Sequence, residues 1–84
     1  MAEIRCGSVV RSTAGHDLGE IYVVTGSAGG RCLLADGVRR SVESPKSKNP
    51  KHLVCIGETS EVLTNETVKS VIRKVRRSLA DVES

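Results

Sequence analysis

Apolar positions in the first two-thirds of the chain come in short runs. Val9-Val10, Ile21-Tyr22-Val23-Val24, Cys32-Leu33-Leu34-Ala35 and Leu53-Val54-Cys55-Ile56 are separated by polar, mostly glycine-bearing stretches. That punctuation belongs to a β protein. It predicts strands over residues 8–11, 20–25, 31–35, 38–42 and 52–56. Residues 26–30, Gly-Ser-Ala-Gly-Gly, read as a turn, and Asp36-Gly37 is a strong tight-turn signal. Residues 43–51, ESPKSKNPK, hold two prolines and three lysines. They read as a loop, because proline cannot donate to a sheet ladder. Several runs are apolar at consecutive positions, so both faces of those strands should be buried, whereas a sheet with one wet face alternates. Five short strands of this kind suggest a small barrel, whose closure removes exposed edges.

The period changes after residue 64. Val68, Val71, Ile72, Val75 and Leu79 recur at spacings of three and four, which at helical geometry makes one apolar stripe roughly 100° wide. Thr64 or Asn65 can cap the start, and Glu66 sits where the helix dipole favours an anion. The expected organisation is a barrel over residues 1–58 with an amphipathic helix over 64–82 packed on it, one domain overall.

Composition sharpens this picture. In 84 residues there is no Trp or Phe and a single Tyr, so the core must be built from Val, Ile, Leu and Ala. A chain this short buries only roughly 60% of its unfolded surface, which leaves little room for an enclosed substrate cavity and argues against an enzyme. The formal net charge is +3, but its distribution says more. Arg39, Arg40, Lys46, Lys48, Lys51 and His52 stand against one acid, Glu43; Lys69, Arg73, Lys74, Arg76 and Arg77 follow without any. Two such clusters suggest a polyanionic partner, although any one charge run is commonly only a solvated surface.

The three cysteines, Cys6, Cys32 and Cys55, are widely spaced and show no CxxC pattern. A zinc site is not expected. With no long apolar run, the chain reads as a cytoplasmic protein with reduced thiols and no membrane contact. Cys32 and Cys55 lie in apolar runs and read as small core residues.

Two stretches invite a catalytic reading. His16-Asp17 looks like an acid–base pair, but sequence neighbours on a strand or loop point apart, and both suit a turn. The glycine-rich GSAGGR lacks the phosphate-loop spacing and leads into a strand rather than a helix. Neither implies catalysis, a metal or a cofactor.

The stretch from Val9 to about Ala35 resembles the KOW motif: a strand, a loop and two further strands with one key glycine. The matching glycine is Gly19, in HDLGEIYVV, where a positive φ would let the loop re-enter the sheet. The segment LLADGVRRSVESPKSKNPKHLVCIG extends the match. It resembles bacterial KOW-domain proteins akin to a large-subunit ribosomal protein of archaea and eukaryotes. The resemblance covers about residues 4–57. It implies an SH3-like barrel that binds RNA, ribosomal RNA in the first place, with ribosomal proteins as further partners. The expected contacts are Arg11, His16, Arg39, Arg40, Lys46, Lys48, Lys51 and His52, acting through phosphates because the chain has too few rings for base stacking. The competing expectation is an SH3-like protein–protein docking module in translation or transcription.

Overall fold

The computed structural model describes residues 4–83. Five strands form one antiparallel sheet: β1 (Ser8–Ser12), β2 (Ile21–Ala28), β3 (Arg31–Ala35), β4 (Lys46–Lys48) and β5 (Leu53–Glu58). A 3-10 turn (Pro50–His52) joins the last two, and helix α1 (Asn65–Glu83) follows. The spatial order is β4-β3-β2-β1-β5. The fold is mostly β, a small barrel-like sheet with a C-terminal helix.

Alternation along the central strands explains how the two faces are used. Val10, Tyr22, Val24, Cys32, Leu34 and Leu53 pack together on one face. Val9, Ile21 and Val23 point to the other, where Val68, Val71 and Ile72 of α1 cover them, with Val75 and Leu79 packed alongside. The consecutive apolar residues therefore have two causes: the sheet curls around one face, and the helix seals the second. Register shifts between Val9 and Val10 in the β1–β5 ladder, and between Val24 and Gly26 in β2–β3, are bulges of the kind that raise local twist and help a sheet curl.

The helix begins as its sequence suggests. Thr64 Oγ1 accepts from the Thr67 amide (3.2 Å), and Thr67 Oγ1 accepts from the Thr64 amide (2.8 Å). This is a capping box with threonine in the position glutamate usually takes. Thr64 is thus the cap, and Asn65 is free for another task described below.

Three sequence expectations change. Residues 38–42 are not a strand; they belong to a turn folded around Asp36. The fourth strand lies instead within the lysine-rich segment expected to be a loop, where Leu34 pairs with Lys46 and Cys32 with Lys48. Strand β2 runs on to Ala28, which reduces the expected five-residue turn to Gly29-Gly30. Of the two cysteines assigned to the core, Cys32 is buried, and that burial pushes its thiol pKa up. Cys55 is only partly covered, with its thiol directed at the Gly57 carbonyl (3.3 Å).

Candidate functional site

The loop between β1 and β2 extends their ladder before it turns. The Ser12 amide donates to the Glu20 carbonyl and the Gly19 amide to the Ser12 carbonyl, both at 2.9 Å. Gly19 has φ +88° and open space where a side chain would project. Its requirement is the left-handed backbone, not room.

Inside that loop Asp17 turns inward. Its side chain is 9% exposed and accepts from four donors. Ser12 Oγ (2.8 Å) and Lys48 Nζ (2.7 Å) reach Oδ1; Tyr22 OH (3.1 Å) and Lys46 Nζ (2.8 Å) reach Oδ2. Burial alone would push the Asp17 pKa up, but the two lysines, the serine and the tyrosine outweigh it and hold the carboxyl well below its ordinary value of 3.8. The tyrosine moves the opposite way. Burial first, then the hydrogen bond to Asp17, push its phenol to about 12. Lys46 and Lys48 are two apart on β4 and therefore share a face of that strand. Their ammonium groups clamp the β1–β2 loop to the sheet, and Lys48 Nζ also donates to the Ala14 carbonyl (3.0 Å).

The second positioned loop follows β3. Asp36 Oδ1 accepts from the amides of Val38 and Arg40, both at 2.9 Å, an aspartate-centred turn that leaves Arg39 and Arg40 exposed. This turn is pressed against the start of α1. Gly37 has φ +81°, and a Cβ there would lie 2.5 Å from the Asn65 carbonyl oxygen and 2.7 Å from Lys69 Cγ. Asn65 ties the far end of the segment, accepting from the Val42 amide (2.9 Å) and donating to Glu43 Oε2 (3.1 Å). A backbone hydrogen bond at Glu43 itself, then that asparagine, lower the Glu43 pKa.

Between the two loops lies a polar concavity of about 250 Å³. His16, Arg39, Arg40 and Lys46 line it, together with three carboxylates, Asp17, Glu20 and Asp36, and Tyr22. Four of the eight residues expected to contact RNA therefore share one surface. The other four do not line it. Arg11 is exposed on β1, Lys51 and His52 sit on the 3-10 turn, and Lys48 is committed to Asp17. Beside the concavity runs a groove of about 330 Å³ between α1 and the 36–40 turn. Ile21 and Ile72 give it an apolar floor, Val38 stands at its mouth, and Lys69, Arg73 and Arg76 of the helix flank it.

No protein-family profile matches the chain, and no curated protein matches it as a relative. The site is accordingly read from its own chemistry. It offers two exposed guanidiniums, an exposed imidazole and one lysine paired with Asp17, beside the carboxylates of Glu20 and Asp36. Such a set binds anions by charge-assisted hydrogen bonds, with the Arg forks able to hold phosphate in two places. No described helix is long and apolar enough to cross a membrane.

Sequence reasoning missed the Asp17 centre and the acids Glu20 and Asp36. No local signal marked the first: its lysines lie 29 and 31 positions away, in a segment that reads as loop, where no common face exists.

Proposed function

We propose that this protein is a non-catalytic RNA-binding protein that contacts ribosomal RNA or a ribosomal particle through the basic loops of its barrel. The observation that supports this most is the convergence of His16, Arg39, Arg40 and Lys46 on one concavity. Tyr22, the one tyrosine in a chain without Phe or Trp, is buried and hydrogen-bonded to Asp17. It offers no stacking platform. Affinity must then come chiefly from phosphates, through counterion release, and this suits a folded RNA recognised by shape. The KOW resemblance points the same way.

Sedimentation of the tagged protein from lysate on a gradient, at low and high salt, tests the reading. The expected result is co-migration with a ribosomal subunit at low salt and release at high salt. Protein that stays at the top of the gradient at low salt overturns the ribosomal assignment. The companion variant is Arg39→Glu/Arg40→Glu/Lys51→Glu, which spares Lys48 because that residue holds Asp17. It should lose about tenfold or more in RNA affinity while keeping its melting temperature.

A second reading, a protein-docking module, is favoured by one feature: Val38, 76% exposed, at the mouth of the apolar-floored groove. Apolar docking would survive added salt, whereas phosphate binding would not.

A further inference from the structure

The concavity and the groove meet along a shared ridge. The residues common to both are Glu20 and Asp36. On one side stand His16, Arg39, Arg40 and Lys46; on the other stand Lys69, Arg73 and Arg76 of α1. Three members of each basic cluster, far apart in sequence, thus flank one surface as two banks, with Glu20 and Asp36 as the saddle between them.

A surface that only holds phosphates gains from each cation and loses from each carboxylate. Asp17 is met by Lys46 and Lys48, so that trio keeps one net positive charge and the first bank rests chiefly on Arg39 and Arg40. Glu20 and Asp36 are different. Glu20 has only a loose, exposed contact with Arg76 at 3.8 Å. Asp36 commits Oδ1 to its own turn, and among the described residues Oδ2 accepts no hydrogen bond. Two under-used carboxylates between two cationic banks match an RNA segment that places phosphates on the banks and base donors on the saddle. Carboxylates accept hydrogen bonds and offer none. The base that presents two adjacent donors on one edge is guanine, through N1–H and the N2 amino group. That edge is open only when the base is unpaired. His16 and the two guanidinium planes are the groups able to stack on it, as imidazole and arginine do in RNA sites. The volume, about 250 Å³, lies below that of ordinary small-molecule pockets and suits a single base.

Resting on the RNA-binding reading above, we infer that helix α1 and the barrel loops form one RNA surface whose Glu20–Asp36 saddle selects an unpaired guanine.

The test uses four labelled RNA hairpins identical except for one loop nucleotide, G, A, C or U, with binding followed by fluorescence anisotropy at fixed salt. The full chain should bind the G hairpin about tenfold more tightly than the others, within the range of one good bidentate base contact. In Glu20→Gln/Asp36→Asn the G hairpin should lose its lead. The other three should bind at least as tightly as before, because negative charge has been removed. The amide oxygen that Asp36→Asn retains can still accept from the Val38 and Arg40 amides, so the turn is kept, and an unchanged melting curve checks this. Arg73→Ala/Arg76→Ala should weaken all four hairpins together. Equal affinity for the four hairpins in the unaltered protein overturns the inference and leaves RNA binding standing. A guanine lead that persists in the double variant overturns the assignment to Glu20 and Asp36. If no hairpin binds at low salt, the inference and the RNA reading fall together.

Discussion

Asp17 stands beside a histidine in a glycine-bearing loop, and nothing local distinguishes it from an ordinary turn aspartate. Its role comes from residues roughly thirty positions away. A buried carboxylate is costly unless its lone pairs are filled and its charge is met. Here four donors and two cations do both. Asp17→Asn keeps the shape but leaves two ammonium groups facing an amide. Breaking a buried pair in this way costs about 3–5 kcal/mol, and the lower end applies because Lys46 retains some exposure to water. The sign of the pH dependence follows from the lowered folded-state pKa. The stabilisation is complete above the ordinary carboxylate value near 3.8 and is lost as the pH falls toward the depressed one. Chemical denaturation at a series of pH values should therefore show the wild-type advantage over Asp17→Asn intact at neutrality and shrinking below about pH 4. Absorbance titration gives a second readout. The Tyr22 phenol, at about 12 in the native protein, should ionise at lower pH in Asp17→Asn, since the carboxylate's hydrogen bond and charge are gone while burial remains. A titration curve identical in the two proteins would contradict this account.

At the scale of elements, the decisive placement is that of the 36–43 segment. Its valines at 38 and 42 would fall on one face of an extended segment, and the segment reads as a short basic strand. The Asp36 side chain captures two amides of this segment and closes it into a turn instead. Strand β4 was illegible for the opposite reason. Its residues, Lys-Ser-Lys between prolines at 45 and 50, carry no strand propensity, and the clamp on Asp17 is a long-range contact that no local pattern announces. By contrast β3 has the expected bounds, the apolar stripe of α1 packs as its spacing requires, and Gly19 has its expected backbone. Four of the eight expected contact residues share a surface because Lys46 stands on β4 and the two loops that carry the other three are each anchored, one through Asp17 and one through Gly37 and Asn65. Gly37→Ala tests the second anchor. The left-handed backbone and the 2.5 Å approach to the Asn65 carbonyl leave no place for a methyl group. The variant should lose more than about 1 kcal/mol of stability and, under the proposed function, bind RNA more weakly, with Arg39 and Arg40 displaced together. Thermal melting and anisotropy measure the two effects. A Gly37→Ala protein as stable as the native one would show that the turn does not bear on the helix.

At the scale of the whole molecule, helix and sheet are not separable. Without α1, Val9, Ile21 and Val23 would lose the cover of Val68, Val71 and Ile72. A chain ended at residue 63 should aggregate or remain unfolded, as judged by size-exclusion chromatography and amide proton dispersion; a monomeric, well-dispersed 1–63 fragment would refute the dependence. Val68, fully buried, is the milder probe, and Val68→Ala should cost about 2 kcal/mol. The same sheet order has a consequence for how the protein is made. Strand β1 leaves the ribosome well before its partner β5, with Ser8 opposite Glu58, and its outer face waits for a helix that begins at Asn65. All five strands and the first turns of that helix must be synthesised before both faces of β1 are covered. Folding therefore trails synthesis instead of keeping pace with it, and in the interval the most apolar strands are in the care of whatever surrounds the nascent chain.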